Sequence, residues 1–149
     1  MTKVALMGAG GKMGLRLASN LMKSDHDVWH VEIDPAGQQR LKDETGIDCV
    51  GQGQALSNAE AVILAVPDRL IGKVLNGFID DLKPGTAVIM LDAAAPHAET
   101  LPKRADITYF VAHPCHPPLF NDETDPDAQK DYFGGIAAKQ HIICALGQG

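Results

Sequence analysis

Gly8-Ala9-Gly10-Gly11-Lys12-Met13-Gly14 follows the apolar run Val4-Ala5-Leu6-Met7 and leads into Leu15-Arg16-Leu17-Ala18. That order of strand, glycines and helix suits the diphosphate of a dinucleotide. Glycines let the backbone turn sharply and let phosphate oxygens reach main-chain N–H groups, and the positive end of a new helix faces the anion. The glycines fall at 8, 11 and 14 with Gly10 as an extra, so the spacing departs from a plain G-x-G-x-x-G because Met13 stands three after Gly10. Candidate coenzyme contacts are Gly8, Ala9, Gly10, Gly11, Lys12 and Met13, with Lys12 either reaching a phosphate or merely solvated. Twenty residues past Gly14 stands Asp34. A carboxylate there would accept hydrogen bonds from ribose hydroxyls and repel a 2'-phosphate, which favours NAD over NADP. Asp34 also suits the opening of a helix ahead of Pro35.

The second cluster is His113-Pro114-Cys115-His116-Pro117-Pro118, two histidines and a cysteine among prolines that stiffen the backbone. His113 is the candidate general base toward a hydroxyl being oxidised, since imidazole chemistry operates near neutral pH. His116 is the candidate ligand of a divalent metal, although a catalytic metal site needs about three protein ligands and no further cluster with clear spacing is present. A turn carrying ordinary histidines is the plain alternative for both. Cys115 has no evident activating partner beyond these histidines and reads as inert. Val66, Pro67 and Asp68 would line the nucleotide, or Pro67 would simply stop a strand. Asp92 resembles an N-cap or turn residue as much as a site residue.

The elements that must position these groups alternate between apolar runs and helical periods, which implies an α/β fold with a Rossmann-like doubly wound, mainly parallel sheet. Strands are expected near 3–8, 28–33, 61–66, 86–91, 107–112 and 140–146. Met13, Leu17 and Leu21 recur every four residues and would pack a first helix on the sheet. Pro35 opens a helix over Ala36 to Glu44, a short helix or turn lies around Ser57 to Glu60, and Leu70, Ile71, Val74, Leu75 and Phe78 mark the helix after Pro67-Asp68. Residues 121–135 are acidic and turn-rich and read as a long exposed excursion. In an open sheet of this kind the ligand lies beyond the carboxyl ends of the strands, and both clusters fall there.

At 149 residues the chain fits one domain, and no stretch of eighteen apolar residues marks a membrane span or a signal peptide. Three distant cysteines argue against a disulfide framework and for a reducing, cytoplasmic setting. A net charge of −6 without a basic run argues against nucleic acid.

The stretch Val4 to Gly14, ending in Gly11-Lys12-Met13-Gly14, resembles the prephenate dehydrogenase and 6-phosphogluconate dehydrogenase-like superfamily. Ala61 to Asp68 and Leu82-Lys83-Pro84-Gly85-Thr86 are similar to later stretches of it, and His113-Pro114 is similar to the His-Pro of prephenate dehydrogenases. More narrowly, His113 to Glu123 with Asp131-Tyr132-Phe133-Gly134-Gly135 resembles the D-apionate oxidoisomerases. The resemblance implies NAD-linked oxidation of a branched sugar hydroxy acid with a coupled rearrangement, a divalent metal to polarise a carbonyl, and a homodimeric parent. In such families a largely helical second domain follows the nucleotide-binding one. Residues 1–149 are accordingly expected to be the NAD-binding domain without it. A non-catalytic NAD-sensing module is the alternative of a different class.

Overall fold

The computed structural model describes residues 1–114, 124–130 and 141–148. Six strands form one sheet: β1 (Lys3–Met7), β2 (Asp27–Val31), β3 (Ala61–Leu64), β4 (Ala87–Met90), β5 (Thr108–Pro114) and β6 (Ile142–Gln148). All six expected strands are present within a few residues of their expected bounds. Their spatial order is β2-β1-β3-β4-β5-β6, parallel throughout except for the antiparallel pair β5 and β6. The register places Met7 beside Val31 on one side and beside Leu64 on the other. Val50 donates its amide to the carbonyl of His30 at 2.9 Å, so the segment before α3 (Gln52–Leu56) flanks β2 through a single backbone contact.

Alternating side chains of the central strands enter two cores, one on each face, as period-two geometry requires. Ala5, Met7, Val62, Leu64, Val88 and Met90 belong to the larger core, which takes in α3, α4 (Ile71–Asn76) and α5 (Ala94–His97). Leu6, Ala18 and Leu41 belong to the other, beneath α1 (Lys12–Leu21) and α2 (Pro35–Thr45). The strand runs are apolar on both faces because both faces are covered.

Two local expectations are refined. Of the short helix or turn expected around Ser57 to Glu60, the turn is present at Ser57–Asn58 and the helix lies just before it, at α3, because the Ser57 hydroxyl (3.1 Å) and the Asn58 amide (2.9 Å) turn back to the Gln54 carbonyl and end the helix there. Within the excursion read at 121–135, Pro126–Lys130 is helical and forms α6, with the Asp125 carboxylate accepting the Asp127 amide at 2.9 Å. Asp-Pro-Asp, read as a turn, serves as a helix start with proline at the first helical position. The rest of that stretch lies outside the described residues.

Candidate functional site

The connection from β1 leads outward to β2 on one side, whereas β3 pairs on the other, so the strand order reverses between β1 and β3. A crevice at the carboxyl ends of those two strands is the place where open sheets of this kind hold ligands. Gly8 leaves β1 with φ of +77°, a conformation that a side chain would strain, and a Cβ on it would come 2.6 Å from the Ala65 carbonyl oxygen. A Cβ on Gly10 would come 2.2 Å from the carbonyl oxygen of Gly37, so α2 rests against the loop backbone to backbone. Val66 flanks the loop closely enough that its Cγ1 would lie 3.1 Å from a Gly8 Cβ. Pro67 then begins a 3-10 turn over Asp68–Leu70, with Pro67 and Asp68 exposed at the rim.

The loop amides divide into two sets. Gly8 and Ala9 both donate to the Val31 carbonyl at 2.9 and 3.0 Å, Gly10 donates to Glu32 Oε2 at 3.0 Å, and Gly11 donates to Gly8 at 3.1 Å. These four hold the loop's own shape. The helix that follows has Gly11 as its N-cap and no side-chain cap, and the amides of Lys12, Met13 and Gly14 have no acceptor among the described residues. Three N–H groups at the positive end of a ten-residue helix point into the crevice end of the sheet, which is the arrangement an anion satisfies. Lys12 is exposed beside them and Met13 half-buried.

Beyond β2 stand two carboxylates. Asp34, the residue singled out from sequence, accepts the Ala36 amide at 3.3 Å and caps α2. Glu32 was missed. Its Oε2 binds the Gly10 amide, and its Oε1 accepts from Ile33 (2.8 Å) and Asp34 (3.0 Å). The side chain is thereby laid along the glycine loop, and Arg40 braces the same loop from α2 by donating to the Gly10 carbonyl at 3.2 Å. The signal available in the sequence was position: Glu32 directly follows β2, two residues nearer the loop than Asp34. Next to it opens a groove of about 910 Å³ lined by Glu32, Ile33, Gln38, Lys42, Asp48 and Gly51, with Ile33 85% exposed and a Lys42–Asp48 ion pair on its wall. Cys49 lines the same groove, and burial together with the charges of Glu32 and Asp48 pushes its thiol up, away from the reactive thiolate.

His113 stands at the end of β5, half-exposed. Its Nδ1 lies 3.1 Å from the Leu91 carbonyl oxygen and 3.5 Å from Asp92 Oδ2, while Asp92 Oδ1 accepts the Ala94 amide at 2.7 Å at the start of α5. The pairing of Met90 with Val111 carries Asp92 and His113 side by side off adjacent strand ends. His116 and Cys115 lie outside the described residues. Among the described residues no three His, Cys, Asp or Glu side chains gather into a metal-binding group. Nor is any described helix long and apolar enough to cross a membrane.

The reversed strand order, the glycine crossover and the uncapped helix define a Rossmann-like nucleotide-binding domain. The chain belongs to the family described as NADP oxidoreductase, coenzyme F420-dependent, whose model matches residues 3–96. A model described as the C-terminal part of decarboxylating phosphogluconate dehydrogenase matches residues 121–149. Among curated proteins the chain is 63% identical over 149 residues to a D-apionate oxidoisomerase of Rhizobium rhizogenes, covering 100% of this chain and 54% of that protein. It is also 63% identical over 147 residues to the D-apionate oxidoisomerase of Cupriavidus necator, covering 99% of this chain and 53% of the relative. The chain thus spans about half the length of the curated relatives it matches. Among solved structures it is similar to a semialdehyde dehydrogenase NAD-binding protein from Cupriavidus necator in complex with calcium and NAD, at 62% identity and a TM-score of 0.91, covering 100% of this chain and 54% of that one.

Proposed function

We propose that this chain is the NAD-binding part of an enzyme that oxidises a small branched hydroxy acid, D-apionate, with coupled rearrangement to 3-oxo-isoapionate. The observation that carries the reading is the row of amides at Lys12, Met13 and Gly14 that have no acceptor among the described residues, set beside a carboxylate fastened along the loop. The substrate class is supported by the names of the relatives at 63% identity.

NAD, when bound, supplies the acceptor for a hydride. The α1 amides hold the diphosphate, with Lys12 able to add a charge, while Val66, Pro67 and Asp68 form the facing wall. Glu32 and, beyond it, Asp34 form the acidic rim that receives ribose hydroxyls. Two carboxylates there disfavour a 2'-phosphate, so NAD is favoured for this chain even though its family description names NADP. His113 takes the hydroxyl proton at Nε2 as the hydride departs from the carbon, which leaves a carbonyl, the reduced coenzyme and a protonated imidazole. A divalent metal, with His116 as one ligand, belongs to the rearrangement in this reading, and no step above depends on it.

Calorimetric titration with NADH and NADPH tests the coenzyme half. Tighter binding of NADH is expected, and Glu32→Gln should weaken NADH about tenfold, the worth of one charge-assisted hydrogen bond, and narrow the gap to NADPH. Silence with both coenzymes would remove the reading. A preference for NADPH would remove the carboxylate assignment. In the protein that contains this chain, His113→Ala is expected to stop NADH formation from D-apionate while coenzyme affinity stays within twofold.

A further inference from the structure

We infer that Asp92 is a positioning residue for His113, acting through the ring nitrogen that faces away from the transferred proton. The inference deepens the reading of His113 as the base and rests on it. Among the described residues, Nδ1 of His113 faces the Leu91 carbonyl oxygen at 3.1 Å and Asp92 Oδ2 at 3.5 Å. A carbonyl and a carboxylate can only accept, so both demand a proton on Nδ1. The neutral ring is therefore held as the Nδ1–H tautomer, which places the acceptor lone pair on Nε2.

Asp92 is itself held. Its other oxygen accepts the Ala94 amide at 2.7 Å, so the first turn of α5 orients the carboxylate, and the β4–β5 register brings it level with the histidine. The result is a chain of contacts from the Ala94 amide to Asp92 to the imidazole, built across two adjacent strand ends. The Leu91 carbonyl gives the ring nitrogen one acceptor. The carboxylate adds a negative charge beside the imidazolium that forms when Nε2 takes a proton from the substrate hydroxyl, while the hydride leaves to nicotinamide. Asp92 thus has a part beyond opening a helix. Its main-chain neighbour and its side chain address the same ring atom.

The experiment is a long-range ¹⁵N–¹H correlation of the histidine rings in this chain at alkaline pH, with His113 assigned by His113→Gln. In the wild-type chain His113 should show a pyrrole-type Nδ1 and a pyridine-type Nε2. Asp92→Asn keeps an oxygen for the Ala94 amide but turns an NH₂ donor toward Nδ1–H, and it should lower the Nδ1–H share to half or less. Asp92→Ser, whose hydroxyl can still accept the Ala94 amide but does not reach the ring, serves as the second variant and should lower that share as well. A wild-type ring dominated by the Nε2–H tautomer would overturn the inference. So would folded Asn and Ser variants whose ring shifts match wild type, since Leu91 would then hold the ring unaided. The ring readout needs no coenzyme. A chain silent toward NADH but with an Asp92-dependent tautomer would refute the coenzyme reading and leave this one standing, and the opposite pair of results would do the reverse.

Discussion

Among single residues, His30 shows most directly how placement governs chemistry. It lies on β2, 6% exposed, with Nε2 buried and without a hydrogen-bond partner among the described residues. Burial pushes its pKa below the ordinary histidine value, and a backbone hydrogen bond at Val28 only partly offsets this. A group that stays neutral when folded but takes a proton when unfolded makes stability fall as pH drops below the unfolded value of about 6.5 toward the folded one, and leaves it flat above. The slope is at most one proton, about 1.4 kcal/mol per pH unit. His30→Leu should remove that share of the acid-side loss and change stability at pH 7.5 by less than about 2 kcal/mol. Urea midpoints of both proteins at pH 7.5 and 5.5 measure it, and parallel losses would show that His30 is not the source. None of this is visible in the sequence, where His30 is one apolar-flanked histidine in Val28-Trp29-His30-Val31.

Glycines near the first crossover act at the level of the element, and they do not all act alike. A side chain on Gly10 meets the Gly37 carbonyl at 2.2 Å, whereas one on Gly11 meets Gly8 oxygen at 3.3 Å and otherwise only Ala65 oxygen at 3.8 Å. Gly10 is demanded by the packing of α2, while Gly11, with φ of −74°, has an ordinary backbone conformation and no close backbone contact of that kind. Gly10→Ala should lower stability by about 1–3 kcal/mol. Gly11→Ala should cost about 1 kcal/mol or less in folding, the penalty of alanine at an N-cap, yet weaken NADH by tenfold or more. Denaturation and titration on the same two variants separate these effects. If Gly11→Ala binds NADH as wild type does, the diphosphate does not cross that position. The strand-glycine-helix order was legible from composition and spacing. The division of the amides was not, because it depends on Val31 and Glu32, at the end of β2, accepting from the loop that follows β1.

For the molecule as a whole, the two edges of the sheet differ. The β2 edge is short and carries the Val50 contact, whereas β6 presents Ile142, Ile143 and Leu146 at 60%, 65% and 73% exposure. An edge strand with exposed apolar side chains pairs readily with other chains. Ile143→Lys with Leu146→Lys should reduce self-association of this chain without moving its urea midpoint by more than about 1 kcal/mol, the usual range for surface changes. Light scattering against concentration is the measurement, and an unchanged profile would show that β6 is not the associating surface. Sequence reading placed this strand by its apolar run but not its direction. The run Ile142-Ile143-Cys144-Ala145-Leu146 looks like any other strand of the set, and only pairing with Thr108 to Pro114 makes it antiparallel.

The alternation of strands and helices, the glycine crossover and the presence of an acidic group after β2 follow from the order of residues along the chain. These are properties of neighbours along the chain: hydrophobic period, backbone freedom and spacing. Folding in three dimensions was needed to lay Glu32 along the loop, to leave three particular amides without an acceptor among the described residues, and to stand Asp92 beside His113. Each of those depends on which strand ends lie next to one another and which donors are already satisfied, and such contacts between residues about twenty apart leave no trace in local order.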